Sequence, residues 1–149
     1  MPILNYTTTI SSAKTAGEVQ AMLGEHGANR VTTEYEGGRV AGVGFTLVTE
    51  FGPREFRMPI RADGVLAAMK ADKKIPSSKS TPEQAERVAW RIGKDWLEAQ
   101  IALVDAGMAS VDEIMMPYML TGDGRTAFEG YAAHQRAIET GEGDEQQDQ

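Results

Sequence analysis

The chain reads as an α+β protein: a three-stranded antiparallel meander packed on a long central helix plus smaller helices, in the order α-β-β-β-α-α-α-α. Three observations predict this. Residues 81–107, TPEQAERVAWRIGKDWLEAQIALVDAG, carry a helix start, a helix stop and a continuous apolar periodicity. Three strand-like runs, at 30–36, 40–48 and 54–60, are separated by turn signals. Helical segments precede and succeed the strands instead of alternating with them, which points to a small sheet with helices segregated around it.

The central helix is the best-defined element. Thr81 suits the cap, Pro82 the first helical position, and Gln84 completes a capping-box spacing. Gly107 supplies a left-handed stop. About 25 residues lie between them, roughly 37 Å of helix. Ala85, Val88, Ala89, Ile92, Trp96, Ala99 and Leu103 form one apolar stripe, and Trp90, Leu97, Ile101 and Val104 form a second beside it. A helix this apolar needs cover on more than one side. The second stripe is a surface for another copy of the chain unless the C-terminal helices cover it.

From the N-terminus, residues 2–10 are an extended lead in which Ile3, Leu4 and Tyr6 dock on a core. A first helix opens at Thr15, with Glu18 at capping-box spacing, buries Val19, Met22 and Leu23, and stops at Gly27. His26 lies in its last turn, where an imidazolium complements the helix dipole. Gly37-Gly38 marks a hairpin between the first two strands, and Gly52-Pro53 the turn into the third. Alternation places Val43, Phe45, Leu47, Phe56, Met58 and Ile60 on the core face. Gly42, Gly44 and Thr46, with Glu55 and Arg57, take the other. Glycines inside a strand mark a bulge or a close approach by another group. Asp63 caps a helix over 64–71 that buries Val65, Leu66 and Met69. Residues 72–80 form a basic, flexible loop. Ser110 opens a short helix with Asp112 and Glu113 in its first turn, Pro117 ends it, and residues 121–124 turn. A last helix over 126–137 faces Phe128, Tyr131 and Ala132 inward.

The 149 residues suit one domain, expected over 1–137, and residues 138–149 are too polar to offset ordering entropy and read as a disordered acidic tail. There is no cysteine, which excludes disulfides, thiol chemistry and cysteine zinc sites. No basic, apolar leader opens the chain, and no apolar run approaches a membrane span, so no membrane contact is expected. The net charge of −7 is segregated: residues 30–94 hold twelve Lys/Arg against eight Asp/Glu, whereas 95–137 hold two against seven.

No catalytic constellation emerges, so neither an enzyme nor a cofactor or metal is expected. His26 and His134 lack acidic partners at ligand spacing. Gly42-Val43-Gly44 lacks the third glycine and the helix of a phosphate loop. Asp95 and Glu98 are read as ion-pair partners of Arg91 and Lys94 along the helix. The basic residues carry more signal. Arg54, Arg57 and Arg61 punctuate the third strand and its exit. Lys73 and Lys74 stand in the loop, with Lys70 and Lys79 around it, and Arg87, Arg91 and Lys94 share one helix face. Brought together, they make a groove that tracks the phosphates of a single-stranded nucleic acid. Replacing Arg91 and Lys94 then weakens binding. Aromatic residues are only 7% of the chain, and Tyr35 and Trp90 are read mainly as core.

The runs TEYEGGRVAGVGF, FRMP, RVAWRIGKDWLEAQIALVDAGM and MMPYMLTGDGRTAFEGY together resemble a group of small proteins encoded by phages and prophages. That resemblance spans about residues 8–131 and implies a protein made in the host cytoplasm during infection. It supplies no catalytic residues. The element order is also similar to α-β-β-β-α nucleic-acid modules, including Rad52-like annealing proteins and double-stranded RNA-binding domains. The leading expectation is therefore a non-enzymatic accessory protein of DNA metabolism that binds, or helps anneal, single strands. The competing expectation is an interaction module that acts on a host or phage protein through the glycine face or the acidic C-terminal third, without nucleic acid.

Overall fold

A computed structural model of the chain describes residues 3–141. The α+β class and the element order hold. Helix α1 (Ser12–Glu25) leads into an antiparallel meander of β1 (Arg30–Glu36), β2 (Arg39–Thr49) and β3 (Gly52–Pro59). Then come α2 (Ala62–Ala71), the long α3 (Pro82–Asp105), the short α4 (Val111–Met115) and α5 (Ala127–Glu139).

Helix α3 begins and ends where its signals stand. The Thr81 hydroxyl accepts from the Gln84 amide at 3.2 Å. At the other end Gly107 has φ +72°, and the Met108 amide donates to the Leu103 carbonyl at 2.9 Å, closing the helix in a Schellman turn. Its apolar side chains divide between two cores, and the division cuts across the stripes, since Ala89 and Trp96 of the first stripe pack in the main core with the second. Trp90 and Leu97 join Val43, Phe45, Phe56, Met58 and Ile60 of the sheet, and Val19 and Leu23 of α1, in the main core. Ala85 and Val88 join Met69 and Ile75 in a second core, with Ile3, Tyr6, Leu66 and Ile92 packed against it. The second stripe is therefore no surface for another copy. Trp90 and Leu97 are buried inside this chain, and Ile101 packs on the same core beside Met115, Ile114 and Tyr118. Ala99, expected in the first stripe, is exposed.

Phe45 and Phe56 stack at 5.6 Å in the middle of the sheet. Two glycines act through their conformation at the β1–β2 turn: Gly37 and Gly38 have φ +59° and +80°, the pair of left-handed residues a tight hairpin needs. Gly42 acts through its missing side chain, because a Cβ there would stand 2.7 Å from the Met58 carbonyl oxygen on β3.

Several local expectations are corrected. Helix α1 starts at Ser12, not Thr15. Ser11 is the cap, its hydroxyl accepting from the Lys14 amide, and Thr15 is a fully buried interior residue. Residues 3–8 form turns, not an extended lead. Tyr6 bonds back to Ile3, and Gln84 on α3 donates both side-chain N–H groups, to the Tyr6 and Thr8 carbonyls. Leu4 points to solvent. Asp63 lies inside the first turn of α2, and Arg61 takes the cap position without a side-chain bond. The basic loop is pinned in its middle, because Ile75 is buried in the second core and Ser77–Lys79 form a turn of 3-10 helix. Helix α5 buries none of its residues; Phe128 and Tyr131 are 46% and 62% exposed instead of inward-facing. It runs to Glu139, and residues 142–149 of the acidic tail lie outside the described residues. No described helix is long and apolar enough to cross a membrane.

Gly42→Ala is expected to lower stability by about 1–3 kcal/mol, because backbone cannot yield as a side chain does. Gly17→Ala, in open space inside α1, is expected to raise it by about 0.5–1 kcal/mol. Denaturant melts of the two variants give opposite signs if this packing is right.

Candidate functional site

The eight predicted basic residues are divided among five places. Arg57 and Arg61 line one groove. Arg54 stands at the other end of β3, its guanidinium donating to the Pro53 carbonyl at 2.8 Å. Lys73 and Lys74 are exposed after α2. Arg87 lines a small polar cleft with Lys79 and Thr7–Thr9, its Nε donating to Gln84 at 3.0 Å.

Arg91 and Lys94 face α1. Arg91 Nη1 donates to Glu18 Oε2 at 2.7 Å and reaches the Thr15 hydroxyl at 3.4 Å. Lys94 lies 3.8 Å from the same Glu18 oxygen and donates to Glu98 at 3.2 Å. The expected Lys94–Glu98 pair forms, but the Arg91–Asp95 pair does not. Asp95 accepts instead from Asn5 at 2.8 Å. Glu18 has capping-box spacing in the sequence, yet packing makes it the bridge from α1 to α3.

The groove holding Arg57 and Arg61 has a volume of about 1140 Å³. It runs from the β1–β2 hairpin past the start of α2 to the start of α5. Sequence patterning creates its floor. On the outer sheet face Gly42 pairs with Glu34 of β1, while Gly44 lies between Thr32 of β1 and Arg57 of β3. A Cβ on Gly44 would come within 2.8 Å of the Thr32 hydroxyl and 3.4 Å of Glu34 Oε1. With no side chain between them, Arg57 and Glu34 meet across β2. Their Nε to Oε2 distance is 2.9 Å, although the N–H is not aligned for a hydrogen bond. Arg57 also stands 3.8 Å from Glu129 and donates to the Gly124 carbonyl at 3.4 Å. The glycine face is thus filled by the chain's own side chains, beside an irregularity where β2 slips past β1 between Glu34 and Tyr35.

Glu129 is a capping-box partner: its carboxylate accepts from the Thr126 amide at 3.1 Å. That bond, then the Thr126 hydroxyl, then Arg57 hold it below the usual carboxylate range. The ends of the groove differ. Arg61 is exposed and has no ion-pair partner among the described residues. Arg39, which no sequence pattern singled out, reaches Glu83 and Glu86 only at 3.7 and 3.6 Å. Exposed pairs of that length contribute little, so Arg39 can turn to another anion. Tyr35, expected mainly in the core, is 68% exposed and lines the same groove, as does Phe128. Only the hairpin tip carries Tyr35 outward; its period-2 position gave no such signal.

His26 braces α1 against the end of α3. Nδ1 lies 2.8 Å from the Met22 carbonyl and Nε2 3.0 Å from Asp105. Both neighbours are acceptors, so only the doubly protonated ring satisfies both. The Met22 carbonyl first, and Asp105 second, hold the pKa above the ordinary 6.5. No group of three or more His, Cys, Asp or Glu among the described residues is placed to hold a metal ion.

Comparisons with protein-family models, with curated proteins and with solved structures return no match.

Arg91→Ala is expected to cost about 1–2 kcal/mol, since it removes the 2.7 Å hydrogen bond to half-buried Glu18 and leaves it only Lys94 at 3.8 Å. Lys94→Ala is expected to cost less than about 0.5 kcal/mol, because Glu98 is exposed. Equal losses in denaturant melts would contradict the bridge. An NMR titration is expected to show His26 titrating above 6.5, and Asp105→Asn to bring it down. Folding raises this pKa, so the contact stabilises fully below about pH 6.5 and fades as pH rises through the folded value. The stability gap between wild type and Asp105→Asn therefore narrows in alkali.

Proposed function

We propose that the protein binds single-stranded nucleic acid, without catalysis, in the groove between the β1–β2 hairpin, α2 and α5. One observation carries this reading: exposed Tyr35 and Phe128 line the same groove as Arg39, Arg57 and Arg61. Exposed aromatic rings stack on unpaired bases, and arginines track the phosphates beside them. Tyr35, Arg39 and Arg57 stand on the sheet, Arg61 at the start of α2 and Phe128 at the start of α5. The resemblance to small phage-encoded proteins fits an accessory role of this kind in DNA metabolism.

Charge limits the strength of the interaction. Arg57 is shared between Glu34 and Glu129, so Arg39 and Arg61 are left to meet about two phosphates. The α3 residues Arg91 and Lys94 act in folding and lie outside this surface. For single strands each phosphate contact contributes about −0.7 to the salt slope, giving a total near −1.4.

A second reading rests on α5. Phe128, Tyr131 and Ile138 are all exposed on a helix that buries no residue, which suits a surface that docks on another protein.

Fluorescence anisotropy of labelled single-stranded DNA separates the two. Nucleic-acid binding predicts about sevenfold weaker affinity at about 200 mM than at about 50 mM salt. Phe128→Ala and Arg61→Glu are each expected to weaken it by about tenfold. Arg91→Ala, compared below its melting temperature, is expected to leave it unchanged. Absence of binding at the lower salt, or binding indifferent to both groove variants, would sink the nucleic-acid reading and leave α5 as the surface to pursue.

A further inference from the structure

We infer that the free edge of β1 pairs, antiparallel and about a two-fold axis at Thr33, with β1 of a second copy of this chain. The sheet order puts β1 and β3 at the edges. The β3 edge is covered: Met119 bridges to Phe56, and the Leu120 amide donates to the Glu55 carbonyl at 2.9 Å. Nothing among the described residues bonds to the outer side of β1. An open edge is normally guarded by proline, by charged side chains, lysine above all, or by a bulge. β1 has neither proline nor lysine, its charges Arg30, Glu34 and Glu36 are of both signs, and the one slip in its ladder falls where β2 passes Ala41.

Its residues are self-complementary. Centred on Thr33, the pairing sets Arg30 against Glu36 of the second copy and Val31 against its Tyr35. Thr32 meets Glu34, and Thr33 meets Thr33. Opposite charges, apolar pairs and Thr–Thr pairs are the favourable cross-strand neighbours in a sheet. A two-fold axis perpendicular to the sheet keeps each pair on one face, as the observed alternation requires. Odd-numbered β1 residues already pair with Val43 and Phe45 on the core side, and even-numbered ones with Gly42 and Gly44 on the outer side. Sliding by two residues toward the hairpin would set Glu34 against Glu34, which disfavours that register.

The monomer leaves these groups without partners. Arg30 and Glu36 are exposed and form no ion pair among the described residues. Tyr35 is 68% exposed, whereas Val31 is half-buried and packs in part on the main core. Pairing joins two three-stranded sheets into one of six strands. The interface is isologous, so assembly closes at two copies. The hairpin tips, and with them the two grooves, then stand at opposite ends of the dimer. The pairing follows from the strand edge whatever the grooves bind, but it sets Tyr35, a groove residue, against Val31 of the second copy.

Sedimentation analysis of the full chain tests it by charge exchange. Wild type is expected to dimerise. Arg30→Glu and Glu36→Arg are each expected to weaken association by about tenfold or more, since each removes two ion pairs and creates two like-charge contacts. The double variant Arg30→Glu/Glu36→Arg is expected to restore it. A wild type that stays monomeric, single variants that dimerise normally, or a double variant as weak as the singles would overturn the proposal. Register is tested separately in a chain with no native cysteine. Opposed antiparallel residues stand about 4.5–5.5 Å apart at Cα, within disulfide reach. Thr33→Cys is therefore expected to form a disulfide-linked dimer under oxidation. Ser78→Cys, exposed in the α2–α3 connection, is expected not to. Equal cross-linking of the two would count against this edge.

Discussion

Everything in this structure depends on covering α3. Its apolar side chains occupy two stripes, and no single neighbour can bury both. The sheet and α1 take Trp90 and Leu97, while α2, the N-terminal turns and the α2–α3 connection take Ala85 and Val88. The two cores meet at α3 and at Val65 of α2, which packs against both, so the helix sets where the sheet and α2 stand. Gly93 permits the close contact on the sheet side: a Cβ there would lie 2.8 Å from Ile60 Cδ1. Burial on both flanks also explains the pinned connection, since Ile75 must come inward to finish the second core.

Polar groups are placed by the same constraint. Arg91 and Lys94 emerge from α3 where α1 crosses it, so Glu18 meets them. His26 and Asp105 repeat the device at the far end of the same helix pair. Between these contacts Val19 and Leu23 complete the apolar layer. Residues that resemble a basic stripe on a helical wheel thus become the polar border of a helix–helix contact.

The outer sheet face shows the complementary case, in which small residues create room for charged ones. Gly44 lets Glu34 approach Arg57 across β2, and the capping box of α5 brings Glu129 to the same guanidinium. The turn at residues 121–124 is tied by the Asp123 carboxylate, which accepts from the Arg125 amide at 3.0 Å. The groove therefore has a fixed wall on the α5 side, while α5 beyond it stands largely in solvent.

Local chemistry was legible in the sequence wherever the cause itself is local. Strand β1 runs over the predicted residues 30–36. The Gly37-Gly38 hairpin, the Thr81 cap and the Gly107 stop are likewise where residue chemistry puts them, because caps, turns and period-2 alternation act over a few residues. The neighbours were not legible. Thr15 and Glu18 have capping-box spacing, but the helix starts earlier, at Ser12, and α3 crosses above them. Tyr35 and Phe128 carry inward-facing patterns, yet the hairpin tip and α5 extend past the core and leave both exposed. Sequence alone determined an α+β fold built on a covered long helix. Tertiary structure alone decided which arginines are committed to carboxylates, which aromatics face solvent and which sheet edge stays open. Those outcomes depend on contacts between residues up to ninety positions apart, such as Asn5 and Asp95, and no local periodicity encodes them.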